Sequence, residues 1–143
     1  MKNMDLKEFG HKMLGLLRER GFCKLQLEDE DGHLCIVGTL NMADHGDARC
    51  WRGHNEHKDI YGNLLTAVGC QMARRLNVAV EDTEIMQRKR REAVFPHDWF
   101  PDPLGSFNND PETTFEDLVD LIVAAAGLDL PDVALPVFEV VSA

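Results

Sequence analysis

The chain has 143 residues, 44% of them apolar, and 15 Lys plus Arg against 25 Asp plus Glu, a net charge of −10. Its length suits one domain able to bury a core, and its charge disfavours general binding to nucleic acid or anionic membranes, whose polyanions the field repels. The charge is uneven: residues 92–143 hold 11 acids and no base.

No secretory signal opens the chain, and no apolar run reaches the roughly 18 residues a membrane span needs, so a cytoplasmic location is expected. Cys23, Cys35, Cys50 and Cys70 are too few for a disulfide scaffold and form no C-x-x-C pair, so reduced thiols are expected.

Leu6, Phe9, Met13, Leu16 and Leu17 recur at helical spacing over residues 5–20, with Asp5 and Glu8 as a capping box and Gly21 as the stop. Gly10 and Gly15 inside this helix each cost roughly 1 kcal/mol relative to Ala, a cost that close approach of a neighbour would explain. From Cys23 the period becomes two. Leu25 and Leu27 share a face, the acidic stretch Glu28 to Gly32 turns, and Leu34 and Ile36 return beside them, which predicts a short β-hairpin with Cys35 facing away from Cys23. The run from Ile36 to Ala43 fits a continuing strand or a short helix stopped by Gly46, and the helix, beginning near Cys35 or Ile36, is preferred. Residues 46–58 read as a polar loop.

Asp59 is expected to cap a central helix carrying Ile60, Leu64, Val68, Met72 and Leu76. Residues 81–93 form a further helix with Ile85 and Met86 ahead of the basic run Arg88 to Arg91. Val94 to Leu104, with Pro96, Pro101 and Pro103 among Phe95, Trp99 and Phe100, reads as an extended aromatic loop. Thr113 and Glu116 suggest a capping box for a last helix with Phe115, Leu118, Ile122 and Ala125 inward and Gly127 as its end. The expected fold is helix-dominated α+β, with about five helices and one short hairpin in a single domain over residues 1–129; residues 130–143 form a tail, an edge strand or docking arm.

Arg20-Gly21-Phe22-Cys23, Cys35-Ile36-Val37-Gly38-Thr39-Leu40, and Phe107-Asn108-Asn109 ahead of Thr114-Phe115-Glu116 resemble an uncharacterised family of small actinobacterial and actinobacteriophage proteins, a domain of unknown function. That family shows Gly-Trp-Cys, Cys-Ala-x-Gly-Ala-Leu and Trp-Asn-Asp steps; Phe22 and Phe107 stand here in place of Trp, Thr39 in place of Ala and Asn109 in place of Asp. The resemblance implies a fold neighbourhood and a phage or actinobacterial setting, and no reaction.

Four potential metal ligands, His45, Cys50, His54 and His57, fall within 13 residues, with the residue types zinc prefers but no standard finger spacing. A plain solvated loop is the simpler reading. Cys35, if at a helix N-terminus, would have a nucleophile's position, although a buried structural thiol is the simpler reading. His97 and Asp98 are adjacent, and adjacent loop residues seldom aim at one substrate. Asn108 and Asn109 suit turn and cap geometry before the last helix. No phosphate-binding loop, dinucleotide fingerprint or nucleophile elbow is present in the sequence, so neither a cofactor nor catalysis is expected.

Four consecutive bases at Arg88 to Arg91 splay around a helix, which suits a solvated face or a patch meeting carboxylates better than a stripe for nucleic acid. The leading expectation is a small acidic interaction or regulatory protein that binds another protein, itself or a basic partner, through Trp99, Phe100, Val137 and Phe138. Two alternatives remain: a metal or thiol enzyme using the His45 to His57 cluster or Cys35, and an acidic mimic, with Glu116, Asp117 and Asp120, that blocks a host or defence protein.

Overall fold

The computed structural model describes residues 5–49, 58–91 and 103–128, and among the described residues six helices follow in chain order. Helix α1 spans Leu6–Arg20. Its Asp5 carboxylate accepts the Glu8 N–H at 2.8 Å, the reciprocal Glu8 contact completes the capping box, and Gly21 ends it. Phe9, Met13 and Leu17 point inward and are fully buried, whereas Leu6 lies outside the core.

Helix α2, Ile36–His45, starts where the small-residue reading put it. Cys35 is its N-cap, a position where a side-chain acceptor takes up a free N–H, and the thiol accepts the Gly38 N–H at 3.2 Å. Gly46 closes it in the left-handed conformation that glycine adopts without strain.

Helix α3, Lys58–Leu76, is the central element; it begins one residue ahead of Asp59, which therefore lies inside its first turn rather than at its cap. Ile60, Tyr61, Leu64 and Leu65 are fully buried and Val68 nearly so, while the stripe runs out at Leu76, which is 60% exposed. A single 3-10 turn at Val80–Asp82 leads into helix α4, Glu84–Arg91. Helix α5, Pro103–Asn109, was not foreseen: its first two residues were assigned to the extended loop. Pro103 fits at a helix start because its missing N–H would have had no partner there.

Helix α6, Phe115–Ala126, has its cap one residue later than the Thr113–Glu116 box. Thr114 is the N-cap, and its hydroxyl accepts the Asp117 N–H at 3.2 Å while Asp117 Oδ2 accepts the Thr114 N–H at 3.0 Å. Thr113 is instead buried and donates to the Phe107 carbonyl at 2.7 Å. Helices α3 and α6 run antiparallel, latched by Asn63 Nδ2 donating to the Ala125 carbonyl at 3.0 Å and Gln71 Nε2 to the Asp117 carbonyl at 2.9 Å. Gly10 permits α1 to meet α6, since a Cβ there would stand 2.4 Å from that of Ala126; around Gly15 there is open space.

The predicted β-hairpin is absent, and so is the β component of the expected fold class: the described residues hold two isolated bridges, Phe22 with Leu34 and Glu28 with Leu34, and no strand. Leu25 takes a left-handed conformation (φ 70°), which breaks any extended run, and it is 80% exposed rather than facing Leu34. The segment is a loop of the Ω type with its ends held together, the Cys23 N–H reaching the Leu34 carbonyl at 3.1 Å. Two backbone groups of the loop, the Leu25 N–H and the Cys23 carbonyl, are satisfied by α5 instead.

Candidate functional site

Asn108 is fully buried in α5. Its Oδ1 accepts the Ile36 N–H at 2.8 Å, and its Nδ2 donates to the Cys23 carbonyl at 3.1 Å. Asn109 Oδ1 accepts the Leu25 N–H at 2.7 Å, and Lys24 Nζ donates to the Asp110 carbonyl at 2.6 Å. The two asparagines therefore do cap backbone groups, but those of the Ω loop and α2 rather than of the last helix. Gly38 completes the junction: a Cβ there would lie 2.1 Å from the Leu27 carbonyl oxygen, so only glycine lets the loop lie on α2.

The acidic turn is closed by its own groups. Asp29 Oδ1 accepts the Asp31 and His33 N–H groups, both at 2.9 Å, and Oδ2 meets His33 Nδ1 at 2.8 Å. Desolvation would raise the Asp29 carboxyl, but the His33 ring and these N–H groups outweigh it and hold it below its ordinary value. Arg20 pairs with Glu28 and donates from Nε to the Gly32 carbonyl at 2.9 Å. Asp29, Asp31 and His33 lie close enough to hold a cation, but His33 already occupies Asp29, which makes the cluster a self-satisfied turn.

Cys23 and Cys35 are free thiols. Burial, then the neighbouring Cys35 and Asp29, push the Cys23 thiol up to about 11, so it stays protonated at neutral pH and is a weak nucleophile. Cys35 occupies the helix N-terminus that a reactive thiol would favour, yet it is buried with its sulfur engaged by Gly38 N–H.

A second feature lies on the far end of α3. Val68, Met72 and Leu76 of α3, Ile85 of α4 and Pro103 and Phe107 of α5 line an apolar groove of about 340 Å³, with Glu84, Ser106 and Asp110 among its polar members. Leu76 is 60% exposed, and Val78, two residues beyond, is 44% exposed. Gly69 brings α4 against α3, its missing Cβ leaving room for Met86 and Ile85. Behind the groove, Arg75 stacks over Phe107 at 4.6 Å and reaches Asp117 Oδ2 at 3.0 Å, fixing α5 and α6 to α3. Neither the groove nor α5 was read from the sequence, although the wet end of the α3 stripe at Leu76 was a usable signal.

Of the residues named from sequence, Trp99, Phe100, Val137 and Phe138 lie outside the described residues, as do His97, Asp98, Cys50, His54 and His57. His45 closes α2 with its ring 3.3 Å from the buried Asp44 carboxylate. Arg88 to Arg91 fill the last four positions of α4. On α6, Asp117 is engaged by Arg75, whereas the Asp120 carboxyl is raised by partial burial and by repulsion from Asp117 and Glu116.

A family model described as a family of unknown function, DUF6197, matches residues 1–128. The chain belongs to that family. No curated protein and no solved structure matches it. In this DUF6197 chain the three sequence steps noted above, at Phe22-Cys23, Cys35 to Gly38 and Phe107 to Asn109, converge on one junction, whose contacts are those of fold-building residues. No helix of the described residues is long and apolar enough to cross a membrane.

Proposed function

We propose that this DUF6197 chain is a protein-interaction protein without catalysis, and that its contact surface is the apolar groove between α3, α4 and α5. The observation that carries the reading is Leu76, 60% exposed at the lip of that groove. Single exposed apolar side chains are ordinary on any surface, but one that lines a preformed apolar depression makes the arrangement that anchors a partner's side chain. The junction around Asn108 supports the non-catalytic half of the reading, because its polar groups are consumed by backbone partners and Cys23 is held protonated.

A photo-crosslinking amino acid at Leu76, compared with one at the exposed Lys7 of α1, tests this in cells producing the protein. A discrete covalent protein adduct from position 76 and none from position 7 is expected. No adduct at 76, or the same adducts from both positions, would refute it.

A further inference from the structure

We infer that the occupant of this face is a second copy of the chain, docked so that the two α4 helices run antiparallel about a two-fold axis near Gln87. The inference rests on the interaction reading above and names its partner. Helix α4 and the turn before it are electrically polar along their length: Asp82 and Glu84 are exposed at the start, Gln87 is exposed and neutral at the middle, and positions 88–91 are four consecutive bases.

From residue 84 to residue 90 is a rise of about 9 Å, so the two charged ends are distinct on the scale of a side chain. A two-fold interface must be self-complementary, because residue i meets j wherever j meets i. An antiparallel copy satisfies that twice over, setting each acidic start against a basic end; a parallel copy would set acid on acid and base on base.

Consecutive bases point around most of a helix's circumference. That spread is a poor stripe for a phosphate backbone, and the sequence places all four bases at the end of α4. The apolar contribution has the same self-complementary form, since each copy offers an exposed Leu76 and, beside it, the groove able to receive one.

The test is sedimentation velocity on the full chain between about 1 and about 100 µM, with Asp82→Lys/Glu84→Lys, with Arg88→Glu/Lys89→Glu/Arg90→Glu/Arg91→Glu, with their 1:1 mixture and with all six changes on one chain. Circular dichroism checks that each variant is folded, and Leu76→Ser gives a reading that leaves the charges alone. A wild-type dimer is expected, weakened about tenfold or more between low and high salt because opposed charges are screened. Each charge-reversal variant and Leu76→Ser should be monomeric, while the mixture and the six-site chain recover the dimer.

A monomeric wild type at the top concentration overturns the inference. So does a dimer indifferent to the charge changes, or failure of the mixture and the six-site chain to recover it. A monomer in solution together with a Leu76 adduct to a different protein removes the second copy and leaves the interaction reading standing; a monomer with no adduct removes both.

Discussion

Replacing Gly38 with alanine tests whether the loop from Cys23 to Leu34 is seated on α2 by backbone contact. The added Cβ would lie 2.1 Å from the Leu27 carbonyl oxygen and 2.9 Å from its carbon, so the loop backbone must retreat by more than 1 Å to restore ordinary contact. That carbonyl cannot retreat freely, because it accepts the Cys35 N–H at 3.2 Å. Overpacking of this kind costs about 1–3 kcal/mol, and weakening the hydrogen bond adds about 0.5–1.5 kcal/mol. Alanine returns about 1 kcal/mol through helix propensity, leaving a net loss of about 2 kcal/mol. Gly15 is the internal control, since it is also helical and has nothing near its missing Cβ. Gly15→Ala should therefore gain up to about 1 kcal/mol. Urea unfolding of both variants, followed by circular dichroism, reads the difference. If Gly38→Ala is as stable as the wild type, or if the two variants shift in the same direction, the close approach of loop and helix is wrong.

Asn108→Ala leaves the Ile36 N–H and the Cys23 carbonyl without their partner and should cost about 2–4 kcal/mol; a loss under about 1 kcal/mol in the same unfolding assay would mean that water replaces the amide. Asp120 has a raised carboxyl, so the folded state is penalised at neutral pH, and the penalty disappears as pH falls through the raised value towards the ordinary 3.8. Asp120→Asn should accordingly melt higher than the wild type at pH 7 and converge with it near the ordinary value; an equal advantage at both pH values would exclude a charge origin. The Cys23 thiol, held at about 11, should react more slowly with a thiol reagent at mildly alkaline pH in the folded chain than in urea, with mass spectrometry identifying the labelled site, and equal rates would refute the reading.

Where an element's local signals agreed with its packing, the sequence was legible. Asp5, Glu8 and Gly21 bound α1, Cys35 and Gly46 bound α2, and Gly127 ends α6, because caps are decided within one turn of the chain. The hairpin was misread because an alternating pattern reports only which side chains want burial, and the Cys23 carbonyl and the Leu25 N–H found their partners in α5. Helix α5 escaped notice because three prolines close together suggested extended chain, while the last of them sits where a helix tolerates it. The shift of the α6 cap from Thr113 to Thr114 follows from two adjacent threonines offering the same chemistry; the buried carbonyl of Phe107 claims the first. The groove was illegible for a different reason: a concavity belongs to three helices at once, and no single period records it.

The bridge made by Asn108 has a consequence for the order in which the molecule assembles. The loop from Cys23 to Leu34 follows the first helix in the chain, yet its Cys23 carbonyl, its Leu25 amide and its Lys24 ammonium are answered by residues 84 to 86 positions later. Closing contacts over such separations is slow compared with forming helices. During synthesis, α1 and α2 are complete long before α5 leaves the ribosome, and the loop between them lacks these three contacts until it does. The amino-terminal third is thus finished last, and amide exchange in the loop should follow the undocking of α5 rather than the fraying of its nearer neighbours.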